Sequence, residues 1–179
     1  KRWYDCARTK KIKFFHTIDA DDPFFDYVAV KESLDLLKKN KLDLVKPSIA
    51  SRYGGASEGY SFSRKGIVKL FDSLKKYKTK KRLNLLDTEM IDGYLDNSDL
   101  NFQVYKGKGY QIKKNIRLTL DYKEDYKLLK ILFEKFGSFT NRETINRFLK
   151  KNKQYLKINF FRNKGWDKKQ KKFKMPQIK

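Results

Sequence analysis

The chain has 179 residues, enough for one packed domain or one domain with a tail and too few for two. Its 39% hydrophobic and 15% aromatic content supplies a core and excludes an intrinsically disordered chain, and no apolar run approaches the roughly 20 residues of a membrane helix. The 44 Lys and Arg against 21 Asp and Glu give a net charge of +23, which raises nucleic acid as a partner.

Lys13–Ile18 is apolar and β-rich and runs into the acidic turn Asp19-Ala20-Asp21-Asp22-Pro23, which predicts a buried strand and then a polar loop. From Asp26 the spacing becomes helical, with Val30, Leu34 and Leu37 on one stripe, and Leu42–Val45 reads as a second strand. Strand, helix and strand with short joints is the βαβ pattern of a parallel sheet. A Ser- and Gly-rich loop follows from Ser48 to Gly59. Tyr60–Phe62 can form a strand, and Ile67, Leu70, Phe71 and Leu74 mark a helix that yields to an exposed basic joint over Lys75–Arg82. Asp87–Leu95 fits a short helix, and Phe102–Tyr105 and Ile116–Leu120 fit strands. Asp121 with Glu124, and Thr140 with Glu143, read as capping boxes for two helices, the first stopping at Gly137. Periodicity is lost from Lys164, which divides the chain into a domain over residues 1–163 and a basic, flexible tail over 164–179.

The charge is less informative than its size suggests. Lys accounts for 35 of the 44 basic residues, whereas base-edge readout and bidentate phosphate contacts favour Arg. Residues 1–163 keep +17, so the basicity is spread along the chain and reads as a solvated surface. A nucleic-acid partner is not expected on this ground. The lone cysteine, Cys6, excludes an internal disulfide, and without a secretory segment it points to a reducing, cytoplasmic compartment.

The acidic turn is the sharpest chemical feature. Asp19, Asp21 and Asp22 crowd the C-terminal end of a predicted buried strand, the edge at which open α/β sheets bind ligands. Oxygen-rich clusters suit Mg²⁺, which takes one or two carboxylates and completes its shell with water and phosphates. The alternative is an Asp-Pro turn whose acids cap the next helix. Asp121 also stands between a β-rich run and a helix, so it is either a helix cap or a ligand, and the two roles are compatible. His16, inside a strand, reads as a packing residue. Trp166 and Phe173 among the lysines of the tail are the residues there that suit base stacking or an anionic surface.

The stretch IDADDPFFD with its helix and LDLV, then EGYSFSRKGI, then IRLTLDYKEDYKLLKILFEKFG with FTNRETINRFL, resembles the sugar-activating cytidylyltransferases. That family includes the CMP-Kdo and CMP-sialic acid synthetases, and the spore-coat polysaccharide branch is the nearest likeness. Two family motifs, an acidic turn before proline and an LD-x-x-ED segment, are matched by Ala20-Asp21-Asp22-Pro23 and Leu120-Asp121-Tyr122-Lys123-Glu124-Asp125. The resemblance covers about residues 12–150 and implies a Rossmann-like, three-layer α/β nucleotide-diphosphosugar-transferase fold. It also implies Mg²⁺ held by Asp21 and Asp121 and CTP and an acidic sugar as substrates. Asp19, Arg52, Glu58 and Tyr60 would contact substrate, and a homodimer is the plausible assembly.

The family's N-terminal strand and Gly-rich basic loop have no counterpart after Lys1, so the expected fold is incomplete at its N-terminus and weak or absent turnover is expected of this chain by itself. It is expected to open in the helix before the metal-binding strand, with Arg2, Trp3 and Ala7 facing inward. Two other functions fit parts of the sequence. Asp19-Ala20-Asp21 is also a D-x-D, as in metal-dependent glycosyltransferases with nucleotide-sugar donors, and the +23 charge suits a non-enzymatic nucleic-acid binder.

Overall fold

The computed structural model describes residues 2–47, 59–80 (side chains to 75), 91, 95, 98–107 and 116–165. The loop over 48–58, most of the helix expected at Asp87–Leu95, and Trp166, Phe173 and most of the tail lie outside them.

Helix α1 (Arg2–Thr9) leads into strand β1 (Phe14–His16), and helix α2 (Tyr27–Lys39) into β2 (Leu44–Lys46). Both helices end in the same way, with a lysine in the left-handed region (Lys11 φ 51°, Lys41 φ 50°). The next residue, Ile12 or Leu42, donates back to Ala7 or Leu37 at 3.0 Å. These are Schellman caps, usually built on glycine. Strand β3 (Ser61–Ser63) then runs directly into helix α3 (Arg64–Lys80), and β4 (Phe102–Val104) follows.

Among the described residues the sheet order is β1-β3-β2-β4. β1 and β2 point the same way, as the βαβ pattern requires, but they do not touch. β3 lies between them, antiparallel to both, and only β2 and β4 pair in parallel. The parallel sheet expected from the βαβ pattern is therefore corrected to a mixed one, with β3 inserted between the two parallel strands. Alternation along the strands sorts the two faces. Leu44 and Phe62 pack with Ala7 of α1 and Ile67 and Leu70 of α3, whereas Val45 packs with Ala29 and Leu37 of α2 and with Tyr105. The result is three layers, helix on sheet on helix. Tyr4 stacks on Phe71 at 3.9 Å between ring centres and joins the two helices of one layer. Trp3 leans on Phe62 at 5.8 Å, while Arg2 is exposed and does not face inward.

Two glycines permit close approaches. A Cβ on Gly66 would lie 2.0 Å from the Asp43 carbonyl oxygen, so only glycine lets α3 start against the base of β2. Gly59 has φ +65°, and a Cβ there would lie 1.8 Å from the Thr17 carbonyl oxygen, just beyond β1. α3 also runs on through Lys80, so the basic stretch from Lys75 is helix where a joint was expected.

The last third is helical. α4 (Lys123–Phe136), α5 (Arg142–Lys151), the single turn α6 (Lys153–Leu156) and a 3₁₀ turn (Phe160–Arg162) surround a core of Ile116, Leu118, Leu128, Leu129, Leu132, Ile145 and Leu149. Residues 116–120, expected as a strand, pair with no strand among the described residues. α5 is capped by Asn141, whose Oδ1 accepts from the Glu143 N–H at 2.7 Å, one residue later than the expected cap Thr140. No helix among the described residues is long and apolar enough to cross a membrane.

Candidate active site

The acidic turn is anchored from behind. Phe24 is buried in the C-terminal helical core, and its carbonyl oxygen accepts from Nη1 of the buried Arg142 at 3.2 Å. Asp26 caps α2, accepting from Val28 N–H at 3.0 Å and Ala29 N–H at 3.4 Å. The Leu120 N–H donates to the Asp21 carbonyl oxygen at 2.8 Å. The turn after β1 is thus tied by main chain to the residue immediately before Asp121. Two aspartates a hundred residues apart in sequence come to one place.

Their side chains differ. Asp21 is exposed, and its carboxylate has no hydrogen bond or ion pair among the described residues. Asp121, 32% exposed at the side chain, receives Arg117 Nη2 on Oδ2 at 2.6 Å and Thr119 Oγ1 on the same oxygen at 3.4 Å. Its Oδ1 has no partner among the described residues. Asp121 does not cap the helix. The N-cap is Tyr122, and the acid that closes the box is Asp125, whose Oδ2 accepts from the Asp121 and Tyr122 N–H groups at 3.0 Å each.

Asp125 and Arg117 form the fully buried centre of this junction. Arg117 Nε meets Asp125 Oδ1 at 2.8 Å and Nη2 meets Oδ2 at 2.9 Å, a two-pronged pair. Asn159, also fully buried, donates through Nδ2 to the Arg117 carbonyl at 3.0 Å and to Asp125 Oδ1 at 2.9 Å. Asn163 Oδ1 accepts from Arg117 Nη1 at 3.1 Å. Burial opposes the charge on Arg117, and the hydrogen bonds and charge of Asp125, with a smaller share from Asp121, override it and raise its pKa. Nearby, Arg162 grips Glu124 at 2.7 and 3.0 Å. The Arg162 hydrogen bond first, and the Glu124 backbone N–H second, hold that carboxyl below its ordinary value. Both guanidiniums lie over the Tyr122 ring, Arg117 at 5.2 Å and Arg162 at 5.0 Å from its centre.

Of the other predicted residues, Asp19 and Tyr60 are described. Asp19 is exposed at the mouth of the turn, and its carbonyl accepts from Asp22 N–H at 3.1 Å. Tyr60 pairs with Thr17, its N–H donating to Thr17 Oγ1 at 2.9 Å, and its ring packs against the core near Phe62. Arg52 and Glu58 lie outside the described residues. His16 Nδ1 is 2.7 Å from Ser61 Oγ, which is itself 2.7 Å from Ser33 Oγ. Ser61 is fully buried.

A divalent cation fits the two aspartates by donor chemistry. No group of three or more His, Cys, Asp or Glu forms a metal cage among the described residues. Mg²⁺ needs none, since one or two carboxylates with waters and phosphates fill its octahedron. Asp21 and Asp121 each keep a carboxylate oxygen unengaged by the described residues.

No protein-family model matches the chain, and no curated protein matches it in sequence. A solved structure of a cytidylyltransferase from Leptospira borgpetersenii serovar Hardjo-bovis (strain JB197) is similar to it, with TM-score 0.67 and 21% sequence identity over 87% of this chain. The chain spans 63% of that protein's length. Likeness at this identity establishes a shared Rossmann-like α/β fold.

Proposed function

We propose that this chain forms the metal-binding portion of a cytidylyltransferase that joins CTP to an acidic sugar, releasing pyrophosphate and yielding a CMP-sugar for surface polysaccharide or glycan synthesis. The observation that carries the reading is the hydrogen bond from Leu120 N–H to the Asp21 carbonyl, which ties together the two family motifs in a fold shared with a cytidylyltransferase. Asp21 and Asp121 would hold Mg²⁺. When bound, the cation supplies charge neutralisation on the triphosphate, so that a sugar hydroxyl can displace pyrophosphate at the α-phosphorus.

The chain's own part is binding and orientation. Asp121 offers one oxygen while the other is fixed, and Asp21 offers an exposed carboxylate from a turn anchored by Phe24 and Arg142. Arg52, Glu58 and Tyr60 would contact the sugar, and Asp19 would contact substrate. The +23 charge draws in a triphosphate and a sugar acid. No activated nucleophile is needed, because phosphoryl and nucleotidyl transfer depend on positioning and electrostatics.

The test is product analysis with the full-length protein and Mg²⁺. Pyrophosphate formed from CTP only when a sugar acid is present supports the reading. Sugar transfer from a nucleotide-sugar donor would replace it with the glycosyltransferase reading of Asp19-Ala20-Asp21. Nucleic-acid binding with a steep log–log salt dependence of several units, without CTP turnover, would replace it with the binder.

A further inference from the structure

We propose that Arg117 is the positioning residue for Asp121, holding Oδ2 of that carboxylate so that Oδ1 is presented to a divalent cation. The inference rests on the two-aspartate reading above and adds to it a residue that no motif marks.

The geometry has three parts. First, both donors to the Asp121 carboxylate, Arg117 Nη2 at 2.6 Å and Thr119 Oγ1 at 3.4 Å, converge on Oδ2. An exposed carboxylate would otherwise rotate freely, and one fixed oxygen sets the direction of the other. Second, the guanidinium that does the holding is itself immobile. It is fully buried, two-pronged on Asp125, bonded through Nη1 to Asn163 and stacked on Tyr122. Asp125 is fixed in turn by two backbone N–H groups and Asn159 Nδ2. Third, the charges are suited to a cation. One guanidinium between two carboxylates leaves one negative charge, so a divalent ion meets an anion despite the arginine beneath it.

Only arginine serves here. Nε, Nη1 and Nη2 bond three different side chains at once, with Nη2 shared between Asp121 and Asp125. The ammonium of lysine is a single point at the end of a flexible stem and reproduces neither the fork nor its fixed direction. If the Arg117–Asp121 contact were merely a partly exposed ion pair, its loss would alter stability slightly and cation affinity not at all.

The test uses Mn²⁺ alone as the probe, its binding to the full-length protein followed by electron paramagnetic resonance of the free ion, with Mg²⁺ as competitor. Arg117→Lys is expected to weaken Mn²⁺ binding by about 10–100-fold. Arg117→Met combined with Asp125→Asn removes both buried charges, keeps an acceptor for the backbone N–H groups, and is expected to weaken binding by a similar factor. Affinity within about twofold of the original protein in either folded variant overturns the role of Arg117, provided Asp121→Asn weakens binding. If the original protein binds no Mn²⁺, or Asp121→Asn leaves affinity unchanged, the two-aspartate reading falls and this inference with it.

Discussion

The acidic turn and the Arg117–Asp125 junction solve one problem in opposite ways. Each must present a carboxylate at the entrance to a helix. In the turn, the backbone is held and the side chain left alone: Phe24 is buried, its carbonyl and that of Asp21 are bonded, and the Asp21 carboxylate meets no described residue. At the junction the side chains themselves are held, through a buried ion pair, an asparagine and an arginine shared between two acids. One carboxylate is therefore adaptable and the other fixed. Under the proposed function such a pair would follow a triphosphate while keeping a reference point, so damage to the two regions should look different.

The largest effect is expected at Asp125. Asp125→Ala leaves a fully buried guanidinium without its main partner and strips the acceptor from two backbone N–H groups, at a cost of about 3–5 kcal/mol. Urea denaturation measures it, and a loss under about 1 kcal/mol would show that Arg117 finds compensation elsewhere. Phe24→Ala should cost a comparable amount, roughly 3–5 kcal/mol, by opening a cavity in the C-terminal core. Unlike the first variant, it should leave the Arg117–Asp121 contact intact and free the turn, visible as faster hydrogen exchange at the Leu120 N–H.

Between the two aspartates themselves the contrast is smaller and more diagnostic. Asp21→Asn touches no described partner and should change stability by no more than about 0.5 kcal/mol. Asp121→Asn keeps an acceptor for Arg117 but loses the charge, at about 1 kcal/mol. Equal effects would contradict the division into a free and a fixed carboxylate.

The smallest effect is electrostatic. Because the folded pKa of Glu124 is lowered by Arg162, the contribution of this pair is present above the ordinary carboxylate value and is lost as pH falls through the folded value. Carboxyl NMR should find Glu124 titrating below the ordinary glutamate value, and Arg162→Ala should raise it toward that value, with the backbone N–H still holding it down in part.

How far the sequence reveals this arrangement depends on the kind of interaction. Helices α2, α3 and α4 follow from apolar spacing, and the acidic turn from its composition, because those signals are local. The sheet order is not local: β3 inserts between β1 and β2 by antiparallel pairing, and nothing in the βαβ spacing excludes a strand arriving from later in the chain. The Asp121 cap fails for a subtler reason. Asp121-x-x-Glu124 and Tyr122-x-x-Asp125 are both capping patterns shifted by one residue, and the buried Arg117, seven to eight residues upstream, selects the second by drawing Asp125 inward. A faint signal was present. Arg117 interrupts the apolar run Ile116–Leu120 in a chain that otherwise uses Lys at 35 of 44 basic positions, and an arginine in such a place points to a buried, forked ion pair. Asn159 and Asn163, which complete the network from the far end of the chain, leave no such trace.

The central claim, that Asp21 and Asp121 together hold the cation for nucleotidyl transfer, is tested most directly by Mg²⁺-dependent pyrophosphate release from CTP and a sugar acid. The full-length protein would be compared with Asp21→Asn and Asp121→Asn, each verified as folded. Loss of turnover in both variants is the predicted result. Full activity in either one would contradict it.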